Sequence, residues 1–249
     1  MPDVPDSAYY DGAQTDVAID KLSELSKGDK PFFFGLGYYR PHLPFNVPKK
    51  YWDMYDRETI TLAEYDMPPL GAPPMAMNNM RELRGYADFK EVDHPNESQL
   101  TDEDARLLRH GYFASVSYVD TQIGRVLDQL ENLGIMDETI IVLWGDNGWK
   151  LGDYGSWCKM TNYEMDTRVP LIIKPAKSMT GDSVRSQIVE QVDIYPTLCD
   201  LAGIPYPDGL AGENLANHII NKDIEGKTHA FSQFLRYGIW GASNGKETM

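Results

Sequence analysis

The tetrad Gly145-Asp146-Asn147-Gly148 offers two hard oxygen donors, a carboxylate and an amide carbonyl, at a predicted turn. Ca²⁺ and Mg²⁺ prefer such oxygen ligands, whereas Zn²⁺ more readily takes nitrogen and sulfur. The same residue types also form ordinary turns, because their backbones suit a reversal of the chain. By itself the tetrad favours the turn, so a metal site here depends on what lies nearby.

A lysine follows this tetrad within a segment rich in glycine and tryptophan. Residues 148–159 end at Lys159, and we expect them to form a loop that folds back over the end of the preceding strand. An ammonium group in that place would hold an anionic ligand beside a metal ion. The alternative is a solvated surface lysine, which is the usual state of this residue type.

His42 lies between Pro41 and Pro44 in an apolar stretch. The prolines restrict the backbone around the imidazole. Because histidine titrates near neutral pH, an imidazole in a cleft can protonate a leaving oxygen. The competing interpretation is a hydrogen-bonded structural histidine. The remaining histidines show no comparable setting and are interpreted as surface or packing residues: His94, His110, His218 and His229.

These side chains follow apolar runs that are predicted to be strands. Residues 32–37 form one continuous run, and residues 139–144 form a second that leads directly into Asp146. Runs of this length without alternation are typical of strands buried on both faces. Two further strands are predicted, at residues 169–173 and 230–234.

Helices are predicted between these strands. Residues 14–26 are predicted to form an amphipathic helix with Ala18, Leu22 and Leu25 on its apolar face and a capping signal at Thr15 and Asp16. A short helix is predicted within 193–203. A long helix from Thr101 to about Leu133 carries an apolar stripe of Leu108, Tyr112, Val116, Val119, Ile123, Val126 and Leu130.

This order of elements predicts an α/β fold, a sandwich with a largely parallel central sheet flanked by helices. Ligands bind at the carboxyl ends of the strands in such sheets. His42 follows the first predicted strand, and Asp146 and Asn147 follow the second, so we expect these groups at one edge. Residues 53–100, rich in proline and methionine, are expected to form an irregular insertion near that site.

The composition argues against several kinds of partner. The formal net charge is −15, so the long-range field repels nucleic acid and anionic membrane surfaces. Any anion site must therefore be local, built from a metal ion and a few cations. No stretch of about 18 apolar residues is present, and the sequence shows no signal peptide. The two cysteines, Cys158 and Cys199, exclude a disulfide scaffold and leave the redox compartment open.

Several segments in a fixed order carry a family resemblance. They are residues 30–45, 112–124, 146–159, 169–171 and 193–198. Together they resemble the formylglycine-dependent sulfatases, and most closely the iduronate-2-sulfatase branch. The resemblance covers nearly the whole chain and is weakest at 53–100. It implies an alkaline-phosphatase-like α/β fold and the hydrolysis of sulfate esters on a sulfated carbohydrate, as in glycosaminoglycan degradation.

The resemblance also implies roles for single residues. Asp146 and Asn147 would be two protein ligands of a Ca²⁺ ion, with Mg²⁺ as the alternative. Lys159 would contact the sulfate and its bridging oxygen, and His42 would do so from the other side. The similar branch often has histidine where Asn147 stands, and both side chains can ligate a metal.

The family nucleophile is a formylglycine made from the first residue of a Cys/Ser-x-Pro-x-Arg motif, and no such motif occurs in this sequence. The paired aspartates that supply other metal ligands are also absent. We therefore expect residues 1–249 to be an internal part of a catalytic domain that is inactive alone. The intact protein is expected to need a formylglycine-generating or sulfatase-maturating enzyme, and to be exported to the periplasm, the outside or the lysosome.

The sequence also fits two other functions. One is a phosphodiesterase or phosphonate monoester hydrolase of the same superfamily, whose site also places an acidic metal ligand beside a cation. Such enzymes commonly add histidine ligands for transition metals, and this chain has few candidates. A non-catalytic sugar- or anion-binding protein would also fit a sequence without the nucleophile motif.

Overall fold

The computed structural model describes residues 1–179, 184–221, 224–237 and 246–248. In chain order its helices are α1 (Tyr10–Leu25), α2 (Lys49–Trp52), α3 (Arg81–Arg84), α4 (Asp102–Asn132), α5 (Glu164–Thr167), α6 (Ile194–Leu201) and α7 (Ala216–Ile220). Its strands are β1 (Ile141–Trp144), β2 (Lys150–Leu151), β3 (Trp157–Cys158), β4 (Leu171–Lys174), β5 (Leu235–Tyr237) and β6 (Lys246–Thr248). None of the helices in these ranges is long and apolar enough to cross a membrane.

The chain divides into two compact units. The first unit joins Met1–Ile135 to Asn147–Arg168, and the second joins Met136–Asp146 to Val169–Met249. The first therefore contains α1 to α5 with the strands β2 and β3, and the second contains the remaining helices and strands.

Helix α4 follows the prediction closely at its ends. Thr101 is its N-cap, and the Thr101 hydroxyl accepts a hydrogen bond from the Asp104 backbone N–H at 3.1 Å. The predicted apolar stripe is wrong at Val116, which is 41% exposed. Ala114 and Tyr118 are fully buried instead. Small and hydrogen-bonding residues line this face because it packs closely against other helices of the unit.

Helix α1 begins earlier than predicted, and Thr15 is not its cap. The Thr15 hydroxyl lies buried within the helix and donates to the Asp11 backbone oxygen at 2.7 Å. Ala18 and Leu22 are buried, as predicted. The carboxylate of Asp11 accepts hydrogen bonds from the backbone N–H groups of Tyr39 and Arg40, at 2.8 and 2.9 Å. This buried carboxylate thereby fixes the chain that leads into the loop of His42.

The strand predicted at residues 32–37 is not formed among the described residues. The backbone there pairs with no strand, and its side chains alternate between partly buried and exposed, with Phe33 87% exposed. One side of this segment faces α1, where the side-chain amide of Gln14 donates to the Gly37 oxygen at 2.5 Å. A strand needs hydrogen bonds from a neighbouring strand, which an apolar run cannot supply by itself.

Residues 53–100 contain only short helical segments, as the prolines predicted. Besides α3 they are single turns at Arg57–Thr59, Pro74–Ala76 and Ala87–Phe89. The part from Met77 to Leu83 is nevertheless well packed. Met77, Met80 and Leu83 are between 1% and 4% exposed, and Met80 and Leu83 join the apolar core around Phe45 and Trp157.

In the second unit the observed pairing differs from the predicted parallel order. β1 pairs with β4 in antiparallel register, with Trp144 opposite Leu171. β5 also pairs antiparallel with β6, and the strand predicted at 230–234 appears instead at β5, just beyond it. The predicted short helix is α6, followed by Gly203 in the left-handed conformation at φ +65°.

Strands β2 and β3 form a short antiparallel hairpin within residues 148–159, which were predicted to be a loop. A buried ion pair anchors its base. The Lys150 ammonium lies 2.6 and 2.5 Å from the two carboxylate oxygens of Asp166, and both side chains are fully buried. The same carboxylate accepts from the Thr161 backbone N–H at 2.7 Å. The pair therefore holds both ends of residues 150–161, the segment that carries Lys159.

We expect the substitution Asp166→Asn to destabilise the folded chain by about 3–5 kcal/mol, because it leaves the buried Lys150 charge without its counter-ion. The matched control is Glu24→Gln, which removes the carboxylate from the exposed Lys21–Glu24 pair and should change stability by less than about 0.5 kcal/mol. Urea unfolding followed by circular dichroism measures both. Equal effects of the two substitutions would contradict an anchoring role for the buried pair.

Candidate functional site

Lys159 lies directly after β3, and its side chain is held on two sides. Its ammonium nitrogen lies 2.6 Å from Oε1 of Glu82 and 4.5 Å from the centre of the Trp149 ring. The side chain is only 10% exposed. The alternative of a solvated surface lysine is therefore wrong: the ammonium is partly desolvated, paired and oriented, as an anion-binding lysine must be.

His42 meets the same carboxylate from the other side. Its Nε2 lies 2.6 Å from Oε1 of Glu82, and its Nδ1 lies 2.8 Å from the backbone oxygen of Leu43. A carbonyl and a carboxylate only accept hydrogen bonds, so the doubly protonated imidazole, which is a cation, can donate to both at once. Its ring also packs edge-on against Trp149, with the centroids 5.6 Å apart.

The structure therefore gathers His42 and Lys159 around one oxyanion. They come from distant parts of the sequence, yet both contact the single oxygen Oε1 of Glu82. Trp149 covers the two cations from one side and itself packs on Tyr112 and Phe45, at centroid separations of 6.3 and 6.4 Å. We call His42, Glu82, Trp149 and Lys159 the cation cluster.

Sequence reasoning missed Glu82. It stands on α3 inside the irregular segment, and its neighbours there give no motif or periodicity. The only signal is an acidic residue beside Met80 and Leu83, which are buried. Those two side chains anchor α3 in the core, so the carboxylate projects from a fixed piece of backbone.

Asn78 ties the same segment to the backbone of Lys159. Its side-chain amide donates to the backbone oxygens of Trp157, at 3.1 Å, and of Lys159. Its amide oxygen accepts from the Met80 backbone N–H at 2.9 Å. The residues on either side of Lys159, Cys158 and Met160, adopt the left-handed conformation at φ 68° and 79°. That conformation is costly for such side chains, and contacts of this kind stabilise it.

Asp146 and Asn147 follow β1, as predicted, and the boundary between the two units falls between them. Asp146 is exposed and Asn147 is partly exposed. No described residue forms a hydrogen bond with either side chain. The turn itself is tight, because a Cβ on Gly148 would lie 1.9 Å from the Met165 backbone oxygen.

The donor chemistry of Asp146 and Asn147 fits a hard divalent cation in part. Asp146 offers a carboxylate and Asn147 an amide oxygen, whereas Ca²⁺ takes about six to eight oxygen ligands. Among the described residues, no group of three or more His, Cys, Asp or Glu side chains is arranged to hold a metal ion. Each residue can therefore supply one oxygen ligand to a metal ion that needs further ligands.

The other histidines lie outside the cation cluster. His110 is buried and stacks on Trp52 at a centroid distance of 4.1 Å, and its Nε2 lies 2.8 Å from the Trp52 backbone oxygen. His94, His218 and His229 make local hydrogen bonds within a few residues of their own positions. All four are packing or surface residues, as the sequence indicated.

The Sulfatase family model matches residues 1–204, so the chain belongs to this family. It is 34% identical to iduronate 2-sulfatase of Mus musculus over 93% of this chain and 48% of that protein. The human iduronate 2-sulfatase is 32% identical, over 90% of this chain and 47% of that protein. The chain thus spans about half the length of these relatives.

Solved structures show the same fold. The phosphonate monoester hydrolase SpPMH from Silicibacter pomeroyi matches with a TM-score of 0.73 and 27% identity, over 93% of this chain and 45% of that one. The structure of BT4656 with its substrate D-glucosamine-2-N,6-O-disulfate matches with a TM-score of 0.72 and 23% identity, over 94% of this chain and 58% of that one. The fold is the alkaline-phosphatase-like α/β fold that the resemblance implied.

Cys158 precedes Lys159 but is not suited to act as a nucleophile. Burial raises the pKa of its thiol to about 12, and the negative charge of Glu82 adds to the rise, while the Lys159 ammonium partly opposes it. The thiol is 2% exposed and forms no disulfide, and Cys199 is also a free thiol. A thiol with this pKa is almost entirely protonated at neutral pH.

We expect Cys158 to resist alkylation in the folded protein. At pH 8.5 a pKa of about 12 leaves roughly one thiol in three thousand ionised, compared with about half in the unfolded chain. Peptide mapping after iodoacetamide treatment, with and without urea, measures the difference. The partly buried Cys199 serves as the internal comparison. Rapid modification of Cys158 in the folded chain would contradict the raised pKa.

Proposed function

We propose that this chain is part of a sulfuric ester hydrolase that acts on a sulfated carbohydrate, of the iduronate-2-sulfatase type. The observation that carries the proposal is the contact of His42 and Lys159 with one carboxylate oxygen. Two cations that share one oxygen of an internal carboxylate have the geometry to share one oxygen of a sulfate. The family membership and the iduronate 2-sulfatase relatives support the same assignment.

Lys159 supplies charge and donors to the sulfate in this proposal. An ammonium carries three N–H donors, and Glu82 occupies only one direction around it. The Trp149 ring closes a second direction, so the remaining donors point to a restricted space. A sulfate placed there is neutralised more effectively than in water, because the side chain is mostly buried.

His42 supplies the proton for the departing alcohol. Its Nδ1–H is engaged by the Leu43 backbone oxygen, so only the Nε2–H can be given to a bridging oxygen. That proton faces Glu82 in the protein without substrate. The imidazole must therefore exchange its contact with Glu82 for the bridging oxygen when the ester binds.

Asp146 and Asn147 are proposed as two ligands of a Ca²⁺ ion, with Mg²⁺ as the alternative, because both offer hard oxygen donors without a hydrogen bond from the described residues. When bound, a divalent cation neutralises sulfate oxygens and orients the ester. The formylglycine nucleophile would come from a Cys/Ser-x-Pro-x-Arg motif, which these 249 residues do not contain. The protein that carries it would need a maturating enzyme and, by likeness to its relatives, export.

The second candidate is a phosphonate monoester hydrolase or phosphodiesterase. The likeness to SpPMH favours it, because the described fold superposes on that enzyme over most of this chain. A monoanionic phosphonate ester would meet the same two cations. A binding protein without catalysis is the third candidate, since His42 and Lys159 can hold an anion without turning it over. Metal content and ester preference of the intact protein separate these three.

We expect the 249-residue chain to bind a 2-O-sulfated uronic acid disaccharide and not the desulfated disaccharide, without turning it over. Lys159→Met should weaken this binding at least tenfold, because it removes the buried ammonium. Lys177→Met is the matched control, since Lys177 is exposed. Isothermal titration calorimetry measures the binding of both disaccharides to the parent chain and to the two variants. Turnover by the pure chain, or equal binding by both variants, would contradict the proposal.

We expect Asp146→Ala to abolish binding of a hard cation that the parent chain binds with millimolar affinity, the range typical of weak sites with few ligands. Tb³⁺ luminescence sensitised by tryptophan, competed by Ca²⁺, reports the binding. Asp200→Ala removes an exposed carboxylate of α6 and should leave the titration unchanged. An unaltered titration in the Asp146→Ala variant would remove Asp146 from the metal ligands.

A further inference from the structure

Glu82 carries a negative charge into the cation cluster, where a sulfate-binding site would be expected to collect only positive charge. We infer that Glu82 determines which anions this site accepts, favouring singly charged sulfate esters over doubly charged tetrahedral anions. The inference rests on the proposed function, because it assumes that the anion binds at Lys159 and His42. It adds to that function a residue that sets specificity by charge.

The first step is that the carboxylate cannot move far away. Glu82 lies on α3 between Arg81 and Leu83, and Leu83 is 1% exposed in the apolar core. The N-cap residue of α3, Met80, is 2% exposed, and its backbone N–H is held by the Asn78 side chain. Asn78 also holds the Lys159 backbone, so α3 and Lys159 form one connected piece. When an ester replaces the His42 contact, the charge of Glu82 stays beside the site.

The second step is that a bound anion lies close to this charge. Glu82 Oε1 is 2.6 Å from the Lys159 nitrogen. An anion oxygen at ordinary hydrogen-bond distance on another N–H of the same tetrahedral ammonium lies roughly 4–5 Å from Oε1. At that separation, opposite or like charges still interact appreciably even with partial solvent screening.

The third step is that the repulsion grows in proportion to the charge of the anion. A sulfate ester, R–O–SO₃⁻, carries one negative charge. Its hydrolysis with water gives R–OH, SO₄²⁻ and one released H⁺, so the inorganic product carries two. Phosphate monoesters also carry close to two charges at neutral pH. Glu82 therefore disfavours the product and phosphate monoesters relative to the substrate, which promotes product release and excludes the wrong ester.

Methyl sulfate and inorganic sulfate test this charge selection directly. Both are tetrahedral sulfur anions, and they keep one and two charges respectively at every pH used for proteins. Glu82→Gln removes the charge and keeps the size of the side chain. Asp88→Asn is the matched control, because Asp88 is an exposed acid of the same segment that lies outside the cation cluster.

We expect Glu82→Gln to strengthen binding of methyl sulfate by about fivefold and of inorganic sulfate by about 25-fold, since the Coulomb energy doubles with the charge of the anion. Calorimetric titration of the 249-residue chain at pH 6 measures both affinities. Asp88→Asn should change each affinity by less than about twofold. Glu82→Asp keeps the charge and should leave the ratio of the two affinities near that of the parent.

Equal factors for the two anions, or no change in either, would overturn the inference while leaving the proposed function intact. A shift of the ratio in Glu82→Asp as large as in Glu82→Gln would also overturn it, because charge would not be the cause. Should Glu82→Gln not fold, Glu82→Ser also removes the charge and is expected to change the two affinities in the same way. Binding of neither anion by the parent chain, or binding that is unchanged in Lys159→Met, would refute the proposed function and the inference with it.

Discussion

The contact of two cations with one oxygen of Glu82 is the interaction on which the site depends. His42 and Lys159 each have a side-chain nitrogen 2.6 Å from that oxygen. The two residues are distant in the sequence, so the fold is what brings them together. Like charges brought this close repel each other unless an anion lies between them. The carboxylate thus allows a preformed pair of cations in the protein before any ester is bound, and the Trp149 ring packs against both of them.

The surrounding structure is organised to keep this pair in place. The Asp11 carboxylate holds the entry to the His42 loop, and the buried Lys150–Asp166 pair holds the hairpin that leads to Lys159. Asn78 links that hairpin to the segment of Glu82. Each of these polar groups is buried and hydrogen-bonded to its partners. Such contacts fix the geometry of the site more than they stabilise the fold. The left-handed backbone beside Lys159 is consistent with this function, since strained conformations concentrate where position matters.

Local sequence patterns determined much of the secondary structure. The ends of α4 lie close to the predicted Thr101 and Leu133, and β1, β4 and α6 lie close to where the sequence predicted them. The patterns predicted less well where the structure of a segment depends on its contacts with another strand or helix. Residues 32–37 are apolar enough for a strand but pair with none of the described strands. Val116 is exposed because Ala114 and Tyr118 face the adjoining helices instead.

For the site, the sequence by itself determined the residue types and the family: His42 between prolines, Lys159 after a tryptophan-rich segment, and the Asp146-Asn147 pair in its turn. Only the tertiary structure decided that His42 and Lys159 meet, and that they do so around Glu82. The physical reason is that the role of a charged side chain depends on which groups lie next to it in space. Glu82 belongs to no motif, and its importance comes from the packing of Met80 and Leu83, which turns its carboxylate towards two distant cations.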